Sequence, residues 1–415
     1  MAETFIESSL TVTDLLQRLN GVKCVSLLTG TEQDSWTSTI AWDPLETFSA
    51  YECSRDDQRE SFIEKNNSKG RLCIGYVSYD YGYCIQGVKK TKSNSQNLPY
   101  IFFCAYQEYV VQESDGWKVV YKNSEFLDKF KLILDSNPQT NDRKDIVFET
   151  TSTGGEYAKL FNKTKEYIKK GHIYQLNLAH NLEAASGQNA RMIFSDLASN
   201  NMAKMMSYFE GPDFEIMSIS PERFISTNGK HIETFPIKGT RARRNADDKN
   251  NKAIAELMTN QKELSELNMI TDLLRNDLGK VCEAGSVRVE KERDIQILSN
   301  VIHTFSKIAG RLKDEISPTR ALLSMFPGGS ITGCPKKRAM EIIDELEPES
   351  RGIYCGCMVV IDPQKNLDSS ILIRTIIKKG KKMILPVGGG IVFDSKLSHE
   401  YKETLDKATS LQRAI

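Results

Sequence analysis

The sequence has no net charge: 55 Lys and Arg residues balance 55 Asp and Glu. That balance argues against a chain that grips nucleic acid or an anionic membrane by bulk electrostatics. No apolar run approaches the roughly 18 residues a membrane span needs. The opening MAETFIESSLTVTDLL has neither the basic start nor the long apolar stretch of a secretory leader, so a cytoplasmic chain is expected. None of the nine cysteines (24, 53, 73, 84, 104, 282, 334, 355 and 357) forms a Cys-x-x-Cys pair. An odd number scattered through a long chain reads as reduced, mostly buried thiols. In the apolar run YCGCMVVI, Cys355 and Cys357 read as small hydrophobes. Histidine is scarce, with five residues and no H-E-x-x-H helix, so no zinc site is expected.

What is present suits a globular protein: 415 residues, 40% hydrophobic and 27% charged. Up to about residue 135, the apolar runs CVSLLT, RLCIGYVSY and PYIFFCAYQEYVV, separated by polar stretches, predict a strand-rich region. DSNPQTNDRKD and then TTSTGG read as a linker, dividing a strand-rich region over 1–140 from a second domain over 150–415. Thr153-Gly-Gly-Glu156 has the form of a capping box before a helix whose Tyr157, Leu160, Phe161 and Ile168 share a face, with Gly171 at its end.

Two glycine clusters imitate phosphate loops. Gly328 and Gly333 have Walker spacing, yet Cys334-Pro335 stands where Lys-Ser or Lys-Thr is needed. Gly388-Gly389-Gly390 lacks dinucleotide-loop spacing and falls in an expected hairpin around Gly380. The turn Ile331 to Lys336 runs into Pro at a helix start, an arrangement that either caps a helix or offers N–H groups to a carboxylate. Glu263 and Glu266 share one helix face, as do Glu400 and Glu403. Singly such pairs are ordinarily solvated surface; together, on helices that meet, they supply the oxygen ligands Mg²⁺ takes.

Pro236-Ile-Lys-Gly-Thr-Arg241 resembles the signature of the chorismate-using enzymes, the family of anthranilate, aminodeoxychorismate, isochorismate and salicylate synthases. The resemblance continues in order through DLLRNDLGKVC, GSVRVEK, IHTFSKIAGRL, FPGGSITGCPKKRAMEIIDELEP, RGIYCG, ILIRT, VGGGIVFDS and EYKET, with weaker similarity at GYVSYDYGY. The anthranilate branch carries PIAGT and the para-aminobenzoate branch PIKGT, so Lys238 resembles the latter. Gln175 stands where the isochorismate and salicylate branches place a general-base lysine.

The resemblance implies an α+β fold of two facing, largely antiparallel sheets covered by helices. It also implies an enzyme that aminates chorismate to 4-amino-4-deoxychorismate, a folate precursor. Lys238 would attack C2 and expel the C4 hydroxyl, and ammonia would then attack C4 and expel the lysine. A lysine nucleophile must be neutral, so burial or neighbouring cations must depress its pKa; Arg241 and Arg243 are near it in sequence, and the sequence leaves open whether they are near it in space. Glu222 matches the general acid, and His303 and Gln175 complete the catalytic set. Glu266 and Glu403 match direct Mg²⁺ ligands, with Glu263 and Glu400 behind them. Thr240, Thr332, Gly333, Tyr354, Arg374, Gly388, Gly389 and Lys407 match the substrate-binding set, Arg374 orienting a carboxylate.

Ala242 and Arg244 depart from the family's PIKGTRPRG. SLLTG replaces the anthranilate branch's Leu-Leu-Glu-Ser tryptophan element, so tryptophan feedback is not expected. No Gly-x-Cys-x-Gly glutaminase elbow occurs, so ammonia is expected from a separate glutamine amidotransferase subunit. The alternatives are an anthranilate-type synthase and an inactive scaffold for a glutaminase.

Overall fold

The computed structural model describes residues 1–31, 35–53, 56–94, 96–139, 145–244, 246–298 and 301–415. Its strands form two sheets, twelve strands in one and ten in the other among the described residues, and every strand pairing is antiparallel. The sheets face one another through an aromatic layer: Tyr76 and Phe102 of the smaller sheet meet Phe209 of the larger edge to face, at 5.9 and 5.8 Å. That geometry suits the ring quadrupoles. On the outer face of the larger sheet lie the helices Val12–Arg18, Ser124–Asp135 and Ala190–Asn200, whose leucines and phenylalanines share one core with Trp42, Trp117 and Leu385. The expected α+β architecture of two facing sheets covered by helices is the one observed.

The first third does not stand apart. Ser26–Thr29 pairs with Met205–Glu210, and Leu72–Val77 pairs with Cys357–Ile361, so early strands enter both sheets beside late ones. This region also holds helices that the apolar runs did not suggest, including Asp56–Asn67 and Ser124–Asp135. Of the expected linker, residues 140–144 lie outside the described residues, and the rest is anchored. Gln139 bonds Asn189, Thr150 pairs with Leu182, and Thr153 caps the helix Gly154–Lys169 reciprocally with Glu156. The linker reading of TTSTGG is therefore corrected at its start, where Thr150 is in a strand, while Thr153 forms the expected cap. A second correction concerns cysteine. Cys53 and Cys84 form a disulfide, their Cα atoms 5.4 Å apart, and only the other seven are free. The fold brings together two residues whose spacing in the chain carried no such signal.

Candidate active site

A cavity of about 680 Å³ opens where the strand Ile237–Ala242 of one sheet approaches the strand Lys382–Ile391 of the other, closed by the helices Gln261–Val281 and Leu397–Gln412. The local chemistry explains the approach. In Ile237–Ala242 the register against Val301–Arg311 shifts between Lys238 and Thr240, with Gly239 at φ +62°. A bulge of this kind re-aims side chains, and Lys238, Gly239 and Thr240 all line the cavity. Gly239 is required by its backbone: a β-carbon there would be strained by φ, and it would also lie 2.9 Å from Glu263 Oε2, which would have to shift. Across the cavity, a β-carbon on Gly388 would lie 3.0 Å from the Tyr354 hydroxyl and 2.9 Å from Leu178 O.

Four carboxylates enter from the N-terminal halves of the two helices; Glu263 and Glu400 lie in the first turns, where the positive end of each helix favours them. Glu263 and Glu266 come from Gln261–Val281, Glu400 and Glu403 from Leu397–Gln412, and all four line the cavity. Burial pushes Glu266 above the usual carboxylate range, and Glu400 and Glu403 push in the same direction, while Lys238 and Lys262 oppose. Glu403 is held below the ordinary range, chiefly by the Lys407 ammonium at 2.9 Å against its own burial. Among the described residues, no three His, Cys, Asp or Glu side chains are grouped to hold a metal ion as they stand. The donor set is nevertheless all carboxylate oxygen, which suits a hard divalent cation.

Glu222 is buried beside this cluster. Its Oε1 accepts a hydrogen bond from Ser330 Oγ at 2.9 Å. Desolvation raises its pKa, with Lys238 and Ser330 pulling the other way, so the carboxyl is biased toward the protonated form a proton donor needs. Arg374 also faces the cavity, in the left-handed region at φ 50°. Burial lowers its pKa, and among the described residues its guanidinium has no hydrogen bond or ion pair. A half-buried cation without a counter-ion is a seat for an anion. Arg241 and Arg243 do not surround Lys238 as cations: Arg241 is bound by Glu256 and Glu263, and Arg243 donates to Leu298 O.

Of the other expected residues, Thr240, Tyr354, Gly388 and Lys407 also line the cavity, and the rest lie off its wall. His303 is buried on the strand beside Thr240, 3.0 Å from Gln296 Oε1, and burial, with Lys204 and Arg374 assisting, holds its pKa at about 4. Gln175 is fully buried with both amide atoms unpartnered, its Nε2 3.0 Å from where a β-carbon on Gly390 would stand. Gly388 and Gly390 line the cavity, whereas Gly389, on the alternate face of the strand, lies under Glu400 and Thr404. Thr332 and Gly333 do not line it. Both of their N–H groups donate to Gly329 O and the Thr332 hydroxyl to Gly328 O, so the turn spends on itself the donors expected for a carboxylate. Sequence reasoning missed Ser330, Lys262 and the Arg241 pairings; only their adjacency to quoted motifs pointed to them.

A family model described as chorismate binding enzyme matches residues 23–413. Aminodeoxychorismate synthase component 1 of Bacillus subtilis (strain 168) is 35% identical over 82% of this chain and 76% of its own length. Anthranilate synthase component 1 1 of Haloarcula marismortui is 32% identical over 82% and 75%. Among solved structures, anthranilate synthase component I from Streptococcus pneumoniae TIGR4 superposes with a TM-score of 0.82 at 25% identity, covering 93% of this chain and 92% of that one.

Proposed function

Because the chain belongs to the chorismate binding enzyme family, and so acts on chorismate, we propose that it is the chorismate-aminating component of an aminodeoxychorismate synthase. Relatives bearing the aminodeoxychorismate and anthranilate names are similarly close, so the choice rests on one observation. Lys238, the residue that separates the branches, lines the same cavity as Glu222 and the two acidic helices, and its charge acts on Glu222, Glu266 and Glu403.

In this reading Arg374 and the Gly388 backbone orient one carboxylate of chorismate, with Tyr354 forming the wall behind. Glu266 and Glu403, backed by Glu263 and Glu400, would hold Mg²⁺, which when bound supplies positive charge for a substrate carboxylate. Glu222 delivers a proton to the departing C4 hydroxyl, and Lys238 forms and then surrenders the covalent bond at C2. Ammonia reaches the site from a separate glutamine amidotransferase. The test is incubation of the purified chain with chorismate, Mg²⁺ and ammonium, with chromatography of the products. Amination at C4, and a response to glutamine only after a glutaminase is added, support the proposal. Amination at C2 alone would favour the anthranilate reading, and glutamine-dependent turnover by the lone chain would contradict the partner.

A further inference from the structure

The four cavity glutamates already have resident counter-ions, and these differ in how they are held. Arg241 is fixed by hydrogen bonds to Glu256, Glu263 and the Thr240 carbonyl. Lys407 bonds Glu403 of its own helix and the carbonyl of Gly388. Lys262 has the loosest attachment, with Nζ 3.4 Å from Glu400 Oε1 and 3.9 Å from Glu266 Oε1. Among the described residues it alone is ion-paired to carboxylates of both acidic helices.

We propose that Lys262 is a built-in counter-cation at the junction of the two acidic helices, and that a divalent cation binds there by displacing its ammonium group. The inference rests on reading the glutamates as a metal seat. Lys262 lies in the first turn of Gln261–Val281, where the helix's own electrostatics disfavour a cation, so the acids rather than the helix account for the placement of its charge. Its side chain is 44% exposed and carries a compact charge on a flexible stem, so the ammonium group can swing into water and leave the junction free. The arrangement keeps like-charged helices together without metal and makes metal binding an exchange of one cation for another. Unlike Arg241, whose planar fork is committed to two partners, Lys262 leaves by breaking one hydrogen bond and one longer contact.

The test is calorimetric titration of Mn²⁺ into the full-length protein and its Lys262→Met and Lys262→Arg variants, with thermal melts in chelator. Lys262→Met is expected to bind Mn²⁺ tighter, by about 1.4-fold to thirty-fold, the range that follows from losing one or two partly exposed ion pairs. In chelator it should melt below the wild type, and saturating Mn²⁺ should narrow the gap. Lys262→Arg, which keeps the charge, should stay near the wild type in both measurements. Unchanged or weaker Mn²⁺ binding by Lys262→Met overturns the proposal while leaving the metal seat intact. Absence of Mn²⁺ binding in all three proteins overturns the metal seat and this proposal with it.

Discussion

Ser330 donates a hydrogen bond from its hydroxyl to Glu222 Oε1 at 2.9 Å, tying the glycine-rich loop to the buried carboxyl that faces Lys238. That bond favours the ionised form of Glu222, against the upward push of burial. If Glu222 is the proton donor, activity falls as pH rises through its pKa, and Ser330→Ala should move that alkaline limb upward. A bond worth about 0.5–1.5 kcal/mol corresponds to a shift of roughly half to one pH unit. The kcat/KM profile, taken at a constant concentration of free NH₃, reads it directly. A downward shift would remove Glu222 from the proposed role.

Lys238 should carry the reaction covalently. Denaturing the enzyme with chorismate and Mg²⁺ but no ammonia should leave a substrate-sized adduct on the peptide containing Pro236 to Arg241, and added ammonia should discharge it. Lys238→Ala should lose the adduct and most C4 amination, with residual product shifted toward C2. Mass spectrometry of the peptide and chromatography of the product give independent readings. Wild-type rate and regiochemistry in the variant would reduce Lys238 to a binding group.

Glu266→Gln and Glu403→Gln should each abolish turnover at saturating Mg²⁺ while the circular dichroism spectrum stays native. Losses at Glu263 or Glu400 should be smaller, about 10- to 100-fold, as expected for groups acting through the ligands. Near-normal Mg²⁺-dependent activity in Glu403→Gln would place the ion elsewhere.

His180 supplies a stability test. It is buried between Tyr157 and Tyr401, with Nε2 2.9 Å from Thr404 Oγ1, and burial lowers its pKa from 6.5 to about 4. Between those values the unfolded chain binds the proton that the folded chain refuses, so this group costs stability as pH falls from about 6.5 to about 4. Asp368, raised from 3.8 to about 6 mainly by burial, acts in the opposite sense over a similar window. The melting-temperature advantage of wild type over His180→Gln should therefore shrink through that window. A constant difference from pH 7 to pH 4 would contradict a neutral buried His180.

Patterns within a few turns of chain were legible in the sequence. The Thr153–Glu156 cap, the hairpin around Gly380 and the two acidic helix faces each rest on local spacing, and each is present. The shared cavity of Lys238, Glu222, Arg374 and the glutamates was reached through motif resemblance; no periodicity brings the chain near residue 238 to the chain near residue 403. What escaped was decided in three dimensions. The Cys53–Cys84 bridge needs a helix, Tyr81–Gln86, that the strand-rich reading of the first third did not contain. The turn at Thr332 and Gly333 had the right residues for an anion site, yet its donors fold back on Gly329. Arg241, near Lys238 in sequence, is ion-paired to Glu256 and Glu263, pairings that only the fold brings about.

The pairing of Leu72–Val77 with Cys357–Ile361 sets a timetable for biosynthesis. At about 5–20 residues per second, the earlier strand leaves the ribosome roughly 15–60 s before its neighbour exists. Its other edge can pair at once with Ile101–Tyr106, but the edge awaiting Cys357–Ile361 presents unpaired N–H and C=O groups for the whole interval, the condition under which nascent sheets recruit the wrong strand. The last third therefore works as a closing piece for both sheets, and a ribosome that stalls before residue 357 releases a chain already committed to an open edge.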